Sequence, residues 1–221
     1  MGTDDLFHKR KARRVKDLKR HKARREPFAK VLVVCEGEKT EPRYFNGLKD
    51  HYKLNSANVE VCAGGGSDPL GICTFAMERY EQEKTAGDPF DKVFCVFDKD
   101  NHANFLRALN AIHDAEPRNT FAAVPSIPCF EFWFLLHFKY TTRPLTASSG
   151  ASACDQVLND LKVYLPDYAK GASDTFPVLF DRLEYAKKNA QSAAKSAADS
   201  GTDNPTTRVN ELVSFLQNIK K

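Results

Sequence analysis

The feature of this sequence that most constrains its fold is a repeated alternation of short apolar runs and longer helix-like segments. Strand-like runs cover residues 30–35, 59–62, 92–97 and 120–124. The helix-like segments are 42–51, 68–83 with Asp68 as N-cap and Pro69 in the first position, 102–114, and the strongly apolar 128–138. Strands that alternate with helices indicate βαβ units and a mostly parallel sheet covered on both faces. We therefore predict an α/β protein whose functional residues lie beyond the carboxyl ends of the strands.

The chain is predicted to have three parts. Residues 1–28 form a basic, helix-prone N-terminal arm, residues 29–140 form the α/β core, and residues 141–221 form a helical extension packed on that core. The extension shows helical patterns at 154–164 and 176–200 and no strand of comparable quality. Thr206 or Thr207 is expected to cap a final amphipathic helix.

The positive charge of the chain is concentrated at its N-terminus. Residues 1–30 contain twelve Lys or Arg and four acids, a net charge of +8, so the other 191 residues carry −4 of the total +4. A basic arm is often a solvated tail, but it can also bind nucleic-acid phosphates by releasing counterions. The expected nucleic-acid contacts are Arg13, Arg14, Lys19, Arg20, Arg24 and Arg25.

Several classes of protein are disfavoured by what the sequence lacks. No apolar run approaches the roughly 20 residues that span a bilayer, and no apolar stretch follows the basic N-terminus, so a cytoplasmic protein without a membrane partner is expected. The six cysteines show no zinc-ligand spacing, which favours reduced structural thiols. The Gly-rich loop 63–70 lacks the phosphate-loop and dinucleotide motifs, so ATP binding is not expected.

Acidic residues follow two of the strand-like runs. Glu36 comes directly after VLVVC, and Glu41 precedes the helix-like segment that starts at Pro42. Asp98 and Asp100 follow the run 92–97 in "VFCVFDKD", spaced so that both can converge on one divalent ion. The structural alternatives are a favourable interaction of Glu41 with a helix N-terminus and an ordinary turn at Asp98.

A third candidate is Glu131, the sole acid in "PSIPCFEFWFLLHF". Burying an isolated carboxylate is costly unless a cation or another partner compensates it. His137, further along the same segment, is interpreted as a core or supporting histidine rather than a ligand. Glu36, Glu41, Asp98, Asp100 and Glu131 are thus expected at the exits of the first, third and fourth strands, as a Mg²⁺ or Mn²⁺ site requires. Lys39 and Lys99 flank this region and could stabilise phosphate charge.

The segments "VLVVCEGEKTEPRYF", "VFDKDNHANF", "PCFEFWFLLHF" and "NPTTRVNELV" resemble the RloB-like family of bacterial proteins. More distantly, a Glu after the first strand and a DxD after the third resemble the Toprim fold of topoisomerases, primases and the overcoming-lysogenisation-defect nucleases. The resemblance implies a Toprim-like core and a role in abortive phage infection. It also implies an ATPase of the ABC/AAA type encoded nearby as a partner.

Carried over by position, the resemblance makes Glu36 the first Toprim acid and makes Asp98 and Asp100 the DxD pair. Glu41 matches the second acid of the EGxTE-like nuclease motif, although here the two glutamates are five residues apart rather than four. Glu131 falls in the "CFE" segment of the family. Lys39 is included among the candidate catalytic residues with Glu36, Asp98, Asp100 and Glu131.

The leading hypothesis is a Mg²⁺- or Mn²⁺-dependent nuclease whose substrate is DNA or RNA, including tRNA, and which could act as a homodimer. A second hypothesis is a non-catalytic Toprim-like subunit that binds nucleic acid or an ATPase. A third, a phosphatase of the haloacid dehalogenase type, requires its DxD on the first strand rather than the third.

Overall fold

The structure is a computed structural model that describes residues 28–54, 58–66, 68–99, 102–148 and 150–219. Its centre is a sheet with the order β2-β1-β3-β4-β5. The strands are β1 (Val31–Cys35), β2 (Val59–Ala63), β3 (Lys92–Asp98), β4 (Phe121–Ile127) and β5 (Thr206–Thr207). The first four strands are parallel, and β5 pairs antiparallel with the edge of β4. The predicted α/β fold with a mostly parallel sheet is therefore confirmed, and it is the arrangement expected of a Toprim-like domain.

Helices cover both faces of this sheet. They are α1 (Thr40–His51), α2 (Pro69–Ala86), α3 (Phe105–Asp114), α4 (Glu131–Leu135), α5 (Ala153–Lys162), α6 (Thr175–Phe180), α7 (Leu183–Asp199) and α8 (Val209–Asn218). The predicted start of α2 is confirmed, because Asp68 accepts a hydrogen bond from the Gly71 N–H at 3.2 Å and Pro69 occupies the first turn. No helix in the described part of the chain is long and apolar enough to cross a membrane.

The continuous apolar sequence of β1 is explained by burial on both faces of the strand. Val31, Val33 and Cys35 belong to a cluster with side chains of α1, α4 and the helices after residue 150. Leu32 and Val34 point to the opposite face, where they pack with α2 and α3. All five residues are fully buried, as is typical of a central strand in a parallel sheet.

Some predicted boundaries were wrong. Strand β4 continues beyond 124 to Ile127, because the backbone after Pro125 still pairs with β3 and β5. The apolar helix predicted at 128–138 is helical only in α4, and the helix predicted at 176–200 is divided into α6 and α7 by a turn in which the Arg182 N–H donates to the Leu179 carbonyl.

The prediction that the extension contains no strand was also wrong. Thr206 and Thr207 form β5 on the edge of β4, and α8 begins only at Val209. A two-residue strand is too short to produce an alternating pattern, which is why the sequence did not reveal it. Thr207 nevertheless accepts a hydrogen bond from the Val209 N–H at 3.3 Å.

Candidate metal centre

The carboxyl ends of β1, β3 and β4 are adjacent, which brings together residues far apart in the chain. Cys35 pairs with Val96, and Asp98 pairs with Ser126. Four acids therefore lie at this edge of the sheet, and functional residues of parallel α/β sheets are usually found beyond the carboxyl ends of the strands. We call Glu36, Glu41, Asp98 and Glu131 the acidic cluster.

Glu36 joins the exits of β1 and β3. Its Oε2 accepts a hydrogen bond from the Asp98 N–H at 2.9 Å, and its Oε1 lies 3.1 Å from His102 Nε2. The Glu36 N–H in turn donates to the Val96 carbonyl at 2.9 Å. These contacts fix the Glu36 carboxylate beside the backbone from which the Asp98 side chain extends.

Glu41, in the first turn of α1, folds back onto the turn that follows β1. Its Oε1 accepts a hydrogen bond from the Gly37 N–H at 3.2 Å, and the residue is buried. A Cβ atom at position 37 would lie only 2.1 Å from Glu41 Oε2, so glycine is needed for this approach. Burial, with further contributions from Glu131 and Glu36, raises the pKa of Glu41 above its ordinary value.

Asp98 is the most perturbed acid of the cluster. Burial of its carboxyl group, followed by the negative charges of the other three acids, raises its pKa well above the ordinary range. A hydrogen bond from the Phe130 backbone opposes this shift only in part. Asp98 Oδ1 is buried and has no hydrogen-bond partner. A buried acceptor without a donor is unfavourable and marks a position where a cation would be stabilising.

Glu131, almost fully buried at the start of α4, receives its partners from the loop between α5 and α6. Tyr168 Oη donates to Glu131 Oε1 at 3.3 Å, and Lys170 Nζ lies 3.5 Å from the same oxygen. The loop is held by the Gly171 N–H, which donates to Thr40 Oγ1 at 2.9 Å. The C-terminal extension thus contributes a phenol and an ammonium group to the acidic cluster.

Of the other predicted site residues, some lie outside the described part of the chain, and two lysines contact the C-terminal extension. Asp100 and the six arginines and lysines of the N-terminal arm lie outside the described residues. The stem of Lys39 lies against Gly171, whose added Cβ would come within 2.9 Å of Lys39 Cβ. Lys99 forms an ion pair with Asp203 at 2.5 Å.

His137 lies in the core, with Nδ1 2.9 Å from the Trp133 carbonyl oxygen. Burial lowers its pKa to about 4, so the ring is neutral near physiological pH. These features agree with its interpretation as a core histidine.

Sequence reasoning missed three residues that contact the cluster: His102, Tyr168 and Lys170. His102 stands only four residues after Asp98 in "DKDNH", so a search for imidazole near the DxD would have found it. Tyr168 and Lys170 follow Glu131 by 37 and 39 residues, and no local pattern connects them with it.

The acidic cluster suits a divalent cation in its chemistry. Within the described ranges, no three His, Cys, Asp or Glu side chains stand close enough together to hold an ion as they are. The available donors are nevertheless carboxylate oxygens, which hard cations prefer, and Asp98 Oδ1 is buried without a partner. An ion bound here would also offset the mutual repulsion that raises the pKa of Asp98 and of Glu41.

Comparison with known proteins agrees with the sequence motifs. The RloB-like protein family matches residues 31–216. No curated protein and no solved structure matches the chain. The family match begins at β1, includes every residue of the acidic cluster and ends within α8. Because the match covers most of the sequence, the protein belongs to the RloB-like family.

Proposed function

We propose that the protein is a divalent-metal-dependent nuclease of the Toprim type that hydrolyses phosphodiester bonds. The observation that carries this proposal is that three acids near enough to raise the pKa of Asp98 lie with it at one edge of a parallel sheet, where a buried Asp98 oxygen has no partner. Buried acids so close together destabilise the folded protein unless a cation compensates their charge. A function that uses a bound cation is the simplest reason for such an arrangement.

Glu36 and Asp98 would hold the ion, with Glu41 and Glu131 at its sides and Asp100 expected to join them from the next part of the chain. Mg²⁺ or Mn²⁺ bound there would polarise the phosphoryl group, lower the pKa of an attacking water and neutralise the leaving oxygen. Asp98 is held on the rigid end of β3, and its main chain fixes Glu36, so the two carboxylates keep a defined relative position.

Two further groups have suitable chemistry. Burial raises the pKa of Glu41, which favours its protonated form more than that of an exposed glutamate, as donation of a proton to a leaving oxygen requires. Lys170 carries an ammonium group beside Glu131 and is largely exposed, so it can contact a substrate phosphate.

The biological setting is proposed from the family resemblance. The protein would act in bacterial defence against phage, in the cytoplasm, together with an ATPase of the ABC/AAA type. The basic arm would contribute nucleic-acid affinity through phosphate contacts.

The test is a cleavage assay of the full-length protein with single- and double-stranded DNA, RNA and tRNA, with Mg²⁺, with Mn²⁺ and with EDTA. We expect metal-dependent cleavage that Asp98→Asn and Glu36→Gln each reduce by at least about a hundredfold. Glu38→Gln is the matched control, because Glu38 lies exposed in the same turn as Glu36. Circular dichroism would establish that all variants fold.

Cleavage that persists in both site variants would refute the nuclease proposal. Nucleic-acid binding without any turnover, alone or with the partner ATPase, would instead support the alternative of a non-catalytic Toprim-like subunit. Deletion of residues 1–26 would then abolish that binding.

A further inference from the structure

Two cysteines that are distant in the sequence meet where the helical extension packs on the core. Cys129 lies just before α4 and is buried in the apolar cluster that contains one face of β1, and Cys154, near the start of α5, packs against the same cluster. Their side chains are in hydrogen-bond contact, and both are free thiols. The fold therefore brings two sulfur atoms together in the segment that leads into Glu131.

Both sulfurs are carried by well-defined backbone. The Phe132 N–H donates to the Cys129 carbonyl at 3.0 Å, where α4 begins. Cys154 lies in the first turn of α5, which a capping box fixes. In that box the Asp155 N–H donates to Ser152 Oγ at 3.1 Å, and the Ser152 N–H donates to Asp155 Oδ2 at 2.8 Å. Because α4 and α5 also pack against each other, the sulfurs face each other without a large backbone movement, as disulfide formation requires.

The two thiols differ in how a reagent from solvent reaches them. Cys154 is partly exposed, whereas Cys129 is only 1% exposed. The contact with Cys154, followed by burial, raises the pKa of the Cys129 thiol well above its ordinary value. The ammonium group of Lys170 is near enough to both thiols to interact with them, and a nearby positive charge favours the thiolate, the reactive form of cysteine. Cys154 is therefore the thiol that meets an oxidant first.

We propose that Cys129 and Cys154 form a reversible oxidation site, which a peroxide converts into a disulfide. The disulfide would tie the start of α5 to the segment that leads into Glu131. A protein with reduced structural thiols is compatible with such a site, because disulfides in reducing compartments are mostly transient and serve redox sensing or catalysis. The inference does not depend on the proposed nuclease activity.

The reaction takes place in two steps. The Cys154 thiolate attacks one oxygen of hydrogen peroxide, so that an S–O bond forms and the O–O bond breaks. The departing hydroxide leaves as water with the proton that the Cys154 thiol released. The Cys129 sulfur then attacks the sulfenic acid on Cys154, so that the S–S bond forms, the S–O bond breaks and a second water leaves with the Cys129 proton. Together the sulfurs give two electrons to the peroxide, and a dithiol reductant restores both thiols by exchange.

The experiment uses the reduced full-length protein, which is treated with hydrogen peroxide and then blocked with N-ethylmaleimide. Trypsin cleaves after Lys139, so Cys129 and Cys154 fall in different peptides that only a disulfide keeps together. Mass spectrometry of the digest, with and without dithiothreitol, identifies the joined peptides and the oxidation state of every cysteine. Circular dichroism establishes that the protein and its variants remain folded.

We expect joined peptides of Cys129 and Cys154 that dithiothreitol separates and that Cys154→Ser abolishes. Cys129→Ser, or Cys129→Ala if the first variant does not fold, should leave a sulfenic acid on Cys154 that dimedone labels. Cys62→Ser is the matched control, because Cys62 is also partly exposed but lies on β2. Cys73 and Cys95 provide a control within the wild type, since these thiols also contact each other but are fully buried, and they should be oxidised at least about ten times more slowly.

Oxidation of Cys154 without a link to Cys129 in the folded wild type would overturn the proposal, as would a link from Cys154 to another cysteine. Equally fast oxidation of Cys73 and Cys95 would also overturn it, because reaction would then follow unfolding rather than the exposure of Cys154. A protein whose Cys154 does not react with peroxide at all would have no oxidation site here. None of these results involves cleavage of nucleic acid, so failure of this proposal and failure of the nuclease proposal are distinguishable.

Discussion

Replacing Asp98 with asparagine should stabilise the metal-free protein, although it removes a proposed metal ligand. Burial and three neighbouring acids raise the pKa of Asp98 well above the value of about 3.9 expected in the unfolded chain. The folded protein therefore binds this proton more tightly than the unfolded chain does. Protonation of Asp98 therefore stabilises the folded wild-type protein. This contribution is complete below about pH 4 and is lost as the pH rises through the raised pKa of Asp98 in the folded state.

The expected size of the effect follows from the contacts of Asp98. At a pH above both values, each unit by which the pKa of Asp98 in the folded protein exceeds that in the unfolded chain lowers the free energy of unfolding by about 1.4 kcal/mol. Asparagine cannot ionise, but it leaves a buried polar group that costs about 1–3 kcal/mol when unpaired, so part of the gain is cancelled. We expect a net stabilisation on the order of 1 kcal/mol at about pH 8 in EDTA, the usual size of a single-residue effect, and hence a rise in Tm of roughly 2–4 °C.

A divalent ion should reverse the order of the two proteins. An ion at a concentration of about 100 times its Kd stabilises the wild type by about 2.7 kcal/mol, and this gain should be absent in Asp98→Asn. Urea and thermal unfolding, each at about pH 5 and about pH 8, with EDTA and with Mg²⁺ or Mn²⁺, would measure both effects. The difference in EDTA should be smaller at the lower pH, where more of Asp98 is protonated.

Asp114→Asn is the control for the loss of one negative charge, because Asp114 is exposed at the end of α3. It should shift stability by no more than about 0.5 kcal/mol in all conditions. If Asp98→Asn is less stable than the wild type in EDTA at about pH 8, Asp98 contributes to the fold. The raised pKa of Asp98 would then not indicate a cation site.

Three other substitutions test the surroundings of the acidic cluster. Gly37→Ala should displace Glu41, because the new Cβ would lie 2.1 Å from its Oε2, and cleavage should fall far more than Tm. Tyr168→Phe should destabilise the protein by about 1–3 kcal/mol in urea unfolding, because Glu131 loses a buried donor; an unchanged midpoint would contradict that contact. Lys170→Met should weaken nucleic-acid binding and reduce the slope of log K against log salt by about one if Lys170 contacts a phosphate; an unaltered slope would exclude that contact.

The sequence predicted the parts of the fold that depend on local patterns. The apolar run at β1 and the N-cap of α2 are visible because burial on two faces and helix capping each act over a few residues. The meeting of Glu36 with Asp98 was also predictable, since parallel strands end at the same edge of a sheet. The contact itself is made through the Asp98 main chain, which no side-chain pattern reveals.

The remaining features depend on contacts between distant parts of the chain. Strand β5 exists because the edge of β4 offers unpaired backbone groups to a segment 81 residues away, where Ser126 and Thr207 also share a hydrogen bond. The approach of Glu41 to Gly37 depends on how tightly α1 begins after β1. Neither arrangement changes the hydrophobic period of the sequence, so neither could be read from it.

The boundary predicted at 140/141 separates two kinds of secondary structure, but the packing crosses it. One apolar cluster contains Val31 and Val33 of β1 together with Leu212 and Val213 of α8. The same connection occurs at the acidic cluster, where the extension supplies the partners of Glu131. Because acids with raised pKa values oppose folding at neutral pH, the burial of apolar side chains around them must offset that cost. The helical extension therefore serves the site in two ways, by covering one face of the sheet and by adding a phenol and an ammonium group to the acidic cluster.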